Sequence, residues 1–256
     1  MAEAIILGSG TSNGVPMLGV SYPPEYLANP KNHRTRSSVM LCGPTGNLLV
    51  DCTPEMRLQV TREGITEIEA VLITHSHADH VMGMDDLRSI CIRTRRHMPI
   101  YTLARYQEDI KRIYSYAFQD FPPGVEVPRF DLREVPEILE IGGMRIQTFL
   151  VNHGKIPVVA FRVGNFAYIT DVSEIPEEAE QHLQNLDVLV LDAVRYKPHV
   201  NHFHYAKALE VVEHLAPRKT YLTHLGHDYD HDKTNAELPD GVELAYDRLR
   251  IPIDAV

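Results

Sequence analysis

The sequence predicts a layered α/β protein with mixed sheets, and three observations carry that expectation. Two β-like runs, Ser38–Cys42 and Asn47–Asp51, flank Gly43-Pro44-Thr45-Gly46 in the spacing of a hairpin. Later apolar runs near Ile100, Ile146, Val158, Phe166, Val188 and Tyr221 are interleaved with helical patterns at 104–117, 176–184 and 204–215. Early hairpins followed by alternating strands and helices imply packed layers of both kinds. The chain has 256 residues, 44% of them hydrophobic and 23% charged, which is enough for a large core.

Along the chain, a first strand at Ala4–Leu7 runs into the Gly-rich turn from Gly8 to Gly14. An irregular stretch rich in Pro, Asn and Tyr follows, from Val15 to about Arg36. Pro54 stands where the first turn of a helix would be, and that helix is expected to run to Glu63 and close at Gly64. Ala70–Thr74 reads as a short buried strand ending in His75. With no repeat, low-complexity tract or composition break, residues 1–256 are expected to form one domain.

Composition removes several function classes. The net charge of -10 speaks against general affinity for nucleic acid or an anionic membrane. The N-terminal MAEAIILGSG has no basic segment before its apolar run, so no signal peptide is expected. No apolar run approaches the ~20 residues of a membrane span. Cys42, Cys52 and Cys91 are unclustered, which excludes a disulfide scaffold or an all-cysteine metal site and suits the cytoplasm; they read as buried thiols. Gly8-x-Gly10-x-x-x-Gly14 fails the dinucleotide fingerprint, because its third Gly is one place late and no helix pattern follows. The unusual entry in the composition is histidine, with 14 residues.

Those histidines concentrate in Thr74-His75-Ser76-His77-Ala78-Asp79-His80. On an extended segment leaving a strand, His75 and His77 point the same way. Asp79 and His80 follow where the chain would turn into a helix, bringing two more ligands to the same point. Imidazole with carboxylate suits Zn, Mn or Fe. Three further apolar runs end in a polar ligand: Phe149–His153, Phe166–Asp171 and Tyr221–His224. Together with the first cluster, His153, Asp171 and His224 would complete a two-metal site.

THSHADH resembles the HxHxDH signature of the metallo-β-lactamase superfamily, and His153, Asp171 and His224 follow in the order of its remaining ligands. The resemblance spans almost the whole chain. It is closest to the PhnP-like phosphodiesterases, which act on phosphoribosyl 1,2-cyclic phosphate, through LGSGTSNGVP, NPKNHRTRSS, MDDLRSI, NHFHYAKALE, YLTHLGHDYDH and LPDGVELAYD. It implies a four-layer αββα sandwich of two mixed sheets. It also implies two divalent ions per chain: one held by His75, His77 and His153, the other by Asp79, His80 and His224, with Asp171 bridging. Asp79 and His202 are the catalytic candidates, His202 matching the histidine that protonates the leaving group. His204 is its local competitor, placed near a helix N-cap. Members of that branch often carry a Cys-x-Cys-x2-Cys structural zinc site, helped by a later His. Here the corresponding residues 19–26 contain no cysteine, so His227 at the helper position is not expected to hold zinc, and Tyr and Pro packing would hold the loop instead.

The resulting expectation is a cytoplasmic dinuclear hydrolase using a metal-activated water on a small, cyclic phosphodiester. Two such ions, two aspartates and a hydroxide leave a formal charge of about +1, which favours an anionic substrate. Arg88, Arg195, Lys31, Arg34 and Arg36 are candidates to add attraction, and His33, His97, His182, His199, His214 and His231 read as surface or packing residues. The alternatives are a transfer-RNA 3′-processing endonuclease, against which the acidic charge counts, and a non-catalytic metal-binding or carrier protein on the same scaffold. A homodimer is implied only by the resemblance.

Overall fold

In the computed structural model, which describes residues 2–122 and 124–254, fourteen strands form two seven-stranded mixed sheets. The first is built from β1 (Ala2–Gly8), β2 (Ser38–Cys42), β3 (Asn47–Val50), β4 (Ala70–Leu72), β5 (Met98–Thr102), β6 (Phe130–Glu134) and the last strand, β14 (Arg250–Ile253). Its order is β14-β1-β2-β3-β4-β5-β6, antiparallel as far as β3 and parallel from β3 to β6. The second comprises β7 (Ile138–Ile141), β8 (Met144–His153), β9 (Ile156–Val163), β10 (Phe166–Ile169), β11 (Val188–Asp192), β12 (Lys219–Thr223) and β13 (Val242–Leu244). It runs β13-β12-β11-β10-β9-β8-β7, parallel from β10 to β13.

Strand alternation produces the layers. In β1, Ala4 and Ile6 join the core between the sheets, while Ile5 and Leu7 face outward. Val39 and Leu41 of β2 do the same with Met40 between them. Because these strands are covered on both faces, they read as unbroken apolar runs. The outer face of the first sheet is covered by α2 (Met56–Arg62), α3 (Ala78–Val81), α4 (Arg88–Thr94) and α5 (Ala104–Ile113), which contribute Met56, Val60, Val81, Cys91 and Ile110. The second sheet's outer face, with Val151, Val158, Ala167 and Leu189, packs under α6 (Glu177–Glu180) and α7 (Tyr205–Leu215). This is the expected αββα sandwich. Two short helices complete the chain, α1 (Pro24–Ala28) between β1 and β2 and α8 (His231–Glu237) between β12 and β13. Among the described residues no helix is long and apolar enough to cross a membrane.

Several local readings are corrected. Pro54 sits in a turn before α2, which starts at Met56, whereas Gly64 closes the helix in the left-handed region (φ 69°) as expected. Cys42 is half-buried on β2 rather than fully enclosed. Four strands carried no readable signal, β6, β7, β13 and β14, and all four are sheet edges. Their alternate residues meet solvent, so Asp131, Arg133, Glu140, Glu243 and Pro252 interrupt the apolar run.

Candidate metal centre

The C-terminal ends of parallel strands share one rim, which is where α/β folds display ligand-binding groups. β3 delivers Asp51 to that rim, β4 delivers Thr74 and His75, β10 delivers Asp171, β11 ends in Asp192 and β12 delivers His224. β8, antiparallel to β9 and therefore running with β10, ends there in His153. Asp51, Asp171 and His224 turn off their strands with positive φ (63°, 49° and 56°). For non-glycine residues that conformation costs roughly 1–3 kcal/mol each and collects at functional sites.

All seven ligand candidates converge. Ligand-capable atoms of His75, His77 and His153 lie within 4.8 Å of one another, and so do those of Asp79, His80, Asp171 and His224. Asp171 stands between the groups: Oδ1 is 3.4 Å from His80 Nε2 and 3.3 Å from His224 Nδ1, whereas Oδ2 is 3.9 Å from His75 Nε2. The Asp79 Oδ2 and His80 Nε2 atoms are buried without a hydrogen-bond partner among the described residues, and face each other at 3.2 Å. Burial opposes charge on His80, but the Asp171, Asp51 and Asp79 carboxylates outweigh it and hold its pKa well above the usual value. Three carboxylates around one imidazole leave negative charge that nothing else in the cluster balances. His75 behaves oppositely, kept neutral by burial and by the neighbouring His80. Orphaned donor atoms, buried imidazoles at His75 and His153 whose pKa values are lowered mainly by burial, and excess buried carboxylate fit a divalent cation at either group.

Residues unread from the sequence hold the ligands in place. Asp51, fully buried, accepts from His80 Nδ1 (2.7 Å) and from both the backbone N–H and the hydroxyl of Thr74 (2.8 Å each). The Asn201 carbonyl accepts from His153 Nδ1 at 2.6 Å, and Ser37 Oγ pairs with His224 Nδ1 at 3.2 Å. Such partners fix the tautomer and aim of a ligating imidazole. Asp51→Ala is therefore expected to weaken metal affinity about 10–100-fold, measured by competition with a chromogenic chelator; unchanged affinity would remove Asp51 from this role.

His202 lies beside the cluster, its ring centroid 4.5 Å from that of His153 and 4.9 Å from that of His224. Its Nδ1 donates to Asp192 Oδ2 at 2.8 Å, leaving Nε2 as the free ring nitrogen. Burial lowers its proton affinity, but Asp192 more than offsets this, and the pKa is pushed up to about 9. His204 takes the N-cap position of α7 without capping through its side chain. A mouth of about 630 Å³ opens over His202, lined by Gly14, Met17, Arg195, Lys197, His199 and His227 among others. His199 thus belongs to the site, 4.9 Å from the His202 ring, and is not a mere surface residue.

Of the basic candidates, Arg195 alone lines this mouth. Arg34 is 1% exposed and bonds the Tyr229 carbonyl and Tyr26, Arg36 pairs with Glu55, Arg88 pairs with Asp85, and Lys31 lies over Tyr246. The cysteine-free 19–26 loop is held as expected by aromatic packing. Tyr22 and Tyr26 stack at 5.1 Å, the Tyr22 hydroxyl accepts from Met17 N (2.8 Å), and Tyr26 donates to the Tyr229 carbonyl (3.2 Å). Tyr22 also sets its ring edge to face against His227, centroids 6.1 Å apart.

A two-sheet αββα sandwich whose strand ends gather five histidines and two aspartates defines a metallo-β-lactamase-fold protein with a candidate metal centre. The sequence matches the beta-lactamase superfamily domain over residues 46–225, and the chain belongs to that family. A diphosphatase from the PhnP family has a crystal structure 34% identical in sequence, with a TM-score of 0.91 over 100% of this chain and 99% of that one. The octanoyltransferase of Porphyromonas gingivalis is 32% identical over 98% of this chain but only 52% of its own length. Ribonuclease Z of Methanopyrus kandleri is 27% identical over 53% of this chain and 46% of its own. The chain spans about half the length of these curated relatives.

Proposed function

We propose that residues 1–256 act as one catalytic domain, a dinuclear metal-dependent phosphodiesterase that hydrolyses a small, cyclic phosphodiester. The observation that carries this reading is the division of the Asp171 oxygens between two ligand groups, each complete enough to hold an ion. His75, His77 and His153 would hold one ion, and Asp79, His80 and His224 the other, with Asp171 shared. Zn and Mn suit these donors, as does Fe. When bound, such ions polarise phosphoryl oxygens and acidify water. Asp79 and His202 are the catalytic residues in this reading. His202 holds a proton at Nε2 for the departing alkoxide, and Asp192 keeps the ring aimed and cationic. Arg195 and Lys197 add positive charge at the mouth and favour an anionic substrate in a chain of net charge -10, whereas burial and the neighbouring His202 and Arg195 lower the pKa of His199 and favour its neutral form.

The similar PhnP-family structure is a diphosphatase, so a phosphoanhydride is the second reading for the same centre. Octanoyl transfer is weaker, since none of the three cysteines lines the mouth and almost half of that relative lies outside the match. The test is a panel of cyclic and linear phosphodiesters, diphosphate diesters and precursor transfer RNA, assayed with protein of measured metal content. Fastest turnover on the cyclic diesters is expected. Fastest cleavage of precursor transfer RNA would replace the reading with the endonuclease alternative. Metal-loaded protein inactive on the whole panel would replace it with a carrier.

A further inference from the structure

A cleft of about 670 Å³ lies between α2, the 30–35 segment and the 246–250 segment, and the proposed chemistry does not use it. Five permanent cations line it, Lys31, Arg34, Arg62, Arg248 and Arg250, against two carboxylates, Glu63 and Asp247. In a chain of net charge -10, this concentrates positive charge on one face. Both carboxylates are already committed. Glu63, whose side chain is 1% exposed, pairs with Arg62 (3.6 Å), Arg248 (3.0 Å) and Arg250 (2.9 Å), and Arg250 also pairs with Glu3 at 2.7 Å. Asp247 accepts from the backbone N–H groups of Ser9 and Thr35 (3.0 and 3.1 Å) and from Arg62 (3.2 Å).

The cations are not all satisfied in return. Arg62 is fully committed, its Nε 3.6 Å from Glu63 and its other nitrogens on Asp247 and the Leu7 carbonyl, but among the described residues the Nε of Arg34 is buried without a hydrogen-bond partner. Lys31 makes no ion pair there, and its ammonium rests 4.3 Å from the centroid of the Tyr246 ring. An ammonium without a carboxylate partner beside an orphaned guanidinium nitrogen suits an anionic group such as a phosphate. The volume falls in the range of small-molecule pockets. The cleft is separate from the metal centre: Val15 lines the cleft, whereas Gly14 and Met17 line the mouth. The Val15 and Arg34 backbones are bonded both ways between them (2.8 and 2.7 Å).

We propose that this cleft is a second anion site, which takes a phosphorylated small molecule of nucleotide size with its phosphates on Lys31 and the surrounding arginines. Occupancy neither needs nor touches the metal centre.

The test is calorimetric titration of the full chain with a non-hydrolysable ATP analogue, as metal-loaded wild type, Lys31→Glu and Lys31→Gln, and as Asp171→Ala at its own measured metal content. A saturable event that persists in Asp171→Ala within about twofold of wild type is expected, weakened about tenfold or more by Lys31→Glu and less by Lys31→Gln; any further event that vanishes in Asp171→Ala belongs to the metal centre. Raising the salt is expected to weaken it further. Lys31 pairs with no carboxylate, so its variants should keep the wild-type melting profile; if Lys31→Glu does not, Lys31→Gln decides. No saturable binding, binding insensitive to both Lys31 changes, or loss confined to Asp171→Ala would overturn the proposal. Displacement of the analogue by transfer RNA at lower concentration would overturn the small-molecule assignment.

Discussion

Asp171→Ala is expected to lower turnover of a cyclic phosphodiester by roughly 10³-fold or more, beyond the 10–100-fold typical of groups that merely support a ligand. The reason is geometric. One carboxylate faces His80 and His224 with Oδ1 and His75 with Oδ2, so its loss disturbs both ligand groups at once. His75→Ala, by contrast, strikes one group directly, and protein carrying it should keep more of its metal than Asp171→Ala. Steady-state kinetics paired with elemental analysis checks both points. Full activity in the two variants would remove the metal centre from the mechanism.

The second large effect concerns His202. His202→Ala should lower kcat about 10²–10⁴-fold for substrates that depart as an alkoxide. The same variant should lose little on a p-nitrophenyl ester, whose leaving group departs without a proton. Asp192→Asn should follow the same pattern more weakly, because Asp192 acts through the ring it bonds at 2.8 Å. Equal losses on both substrates would show that His202 shapes the pocket and does not supply a proton. Full activity on the alkoxide substrate would remove it from the reaction altogether.

The residues most legible in the sequence were those that end buried strands. Ala70–Leu72 and Phe166–Ile169 are apolar on both faces, so the polar residues after them stand out by contrast. The same contrast fails at the sheet edges, where one flank meets water and β6, β7, β13 and β14 blend into loop composition. Asp51 and Asp192 also end buried strands, but a lone strand-end Asp has an ordinary solvating role in sequence terms. Only packing shows Asp51 against His80 and Asp192 against His202. His199 was unreadable because the chain between β11 and α7 has no period to place its side chains. Arg34 departs from its sequence reading for a related reason. Its neighbours suggest a basic surface run, yet Tyr26 and Tyr229, some 200 positions apart in sequence, enclose it.

The ligand groups also differ in how far apart their members lie along the chain. Four candidates fall within His75–His80, and the others come from the second sheet at His153, Asp171 and His224. An unfolded chain keeps the first four together and can already hold an ion weakly, whereas the remaining three arrive only when the two sheets dock. A bound metal would therefore stabilise the folded protein by less than its native affinity alone dictates, since part of that affinity would be present before folding. The ion would act as a late fastener between the two halves of the sandwich, fully seated only once both have formed.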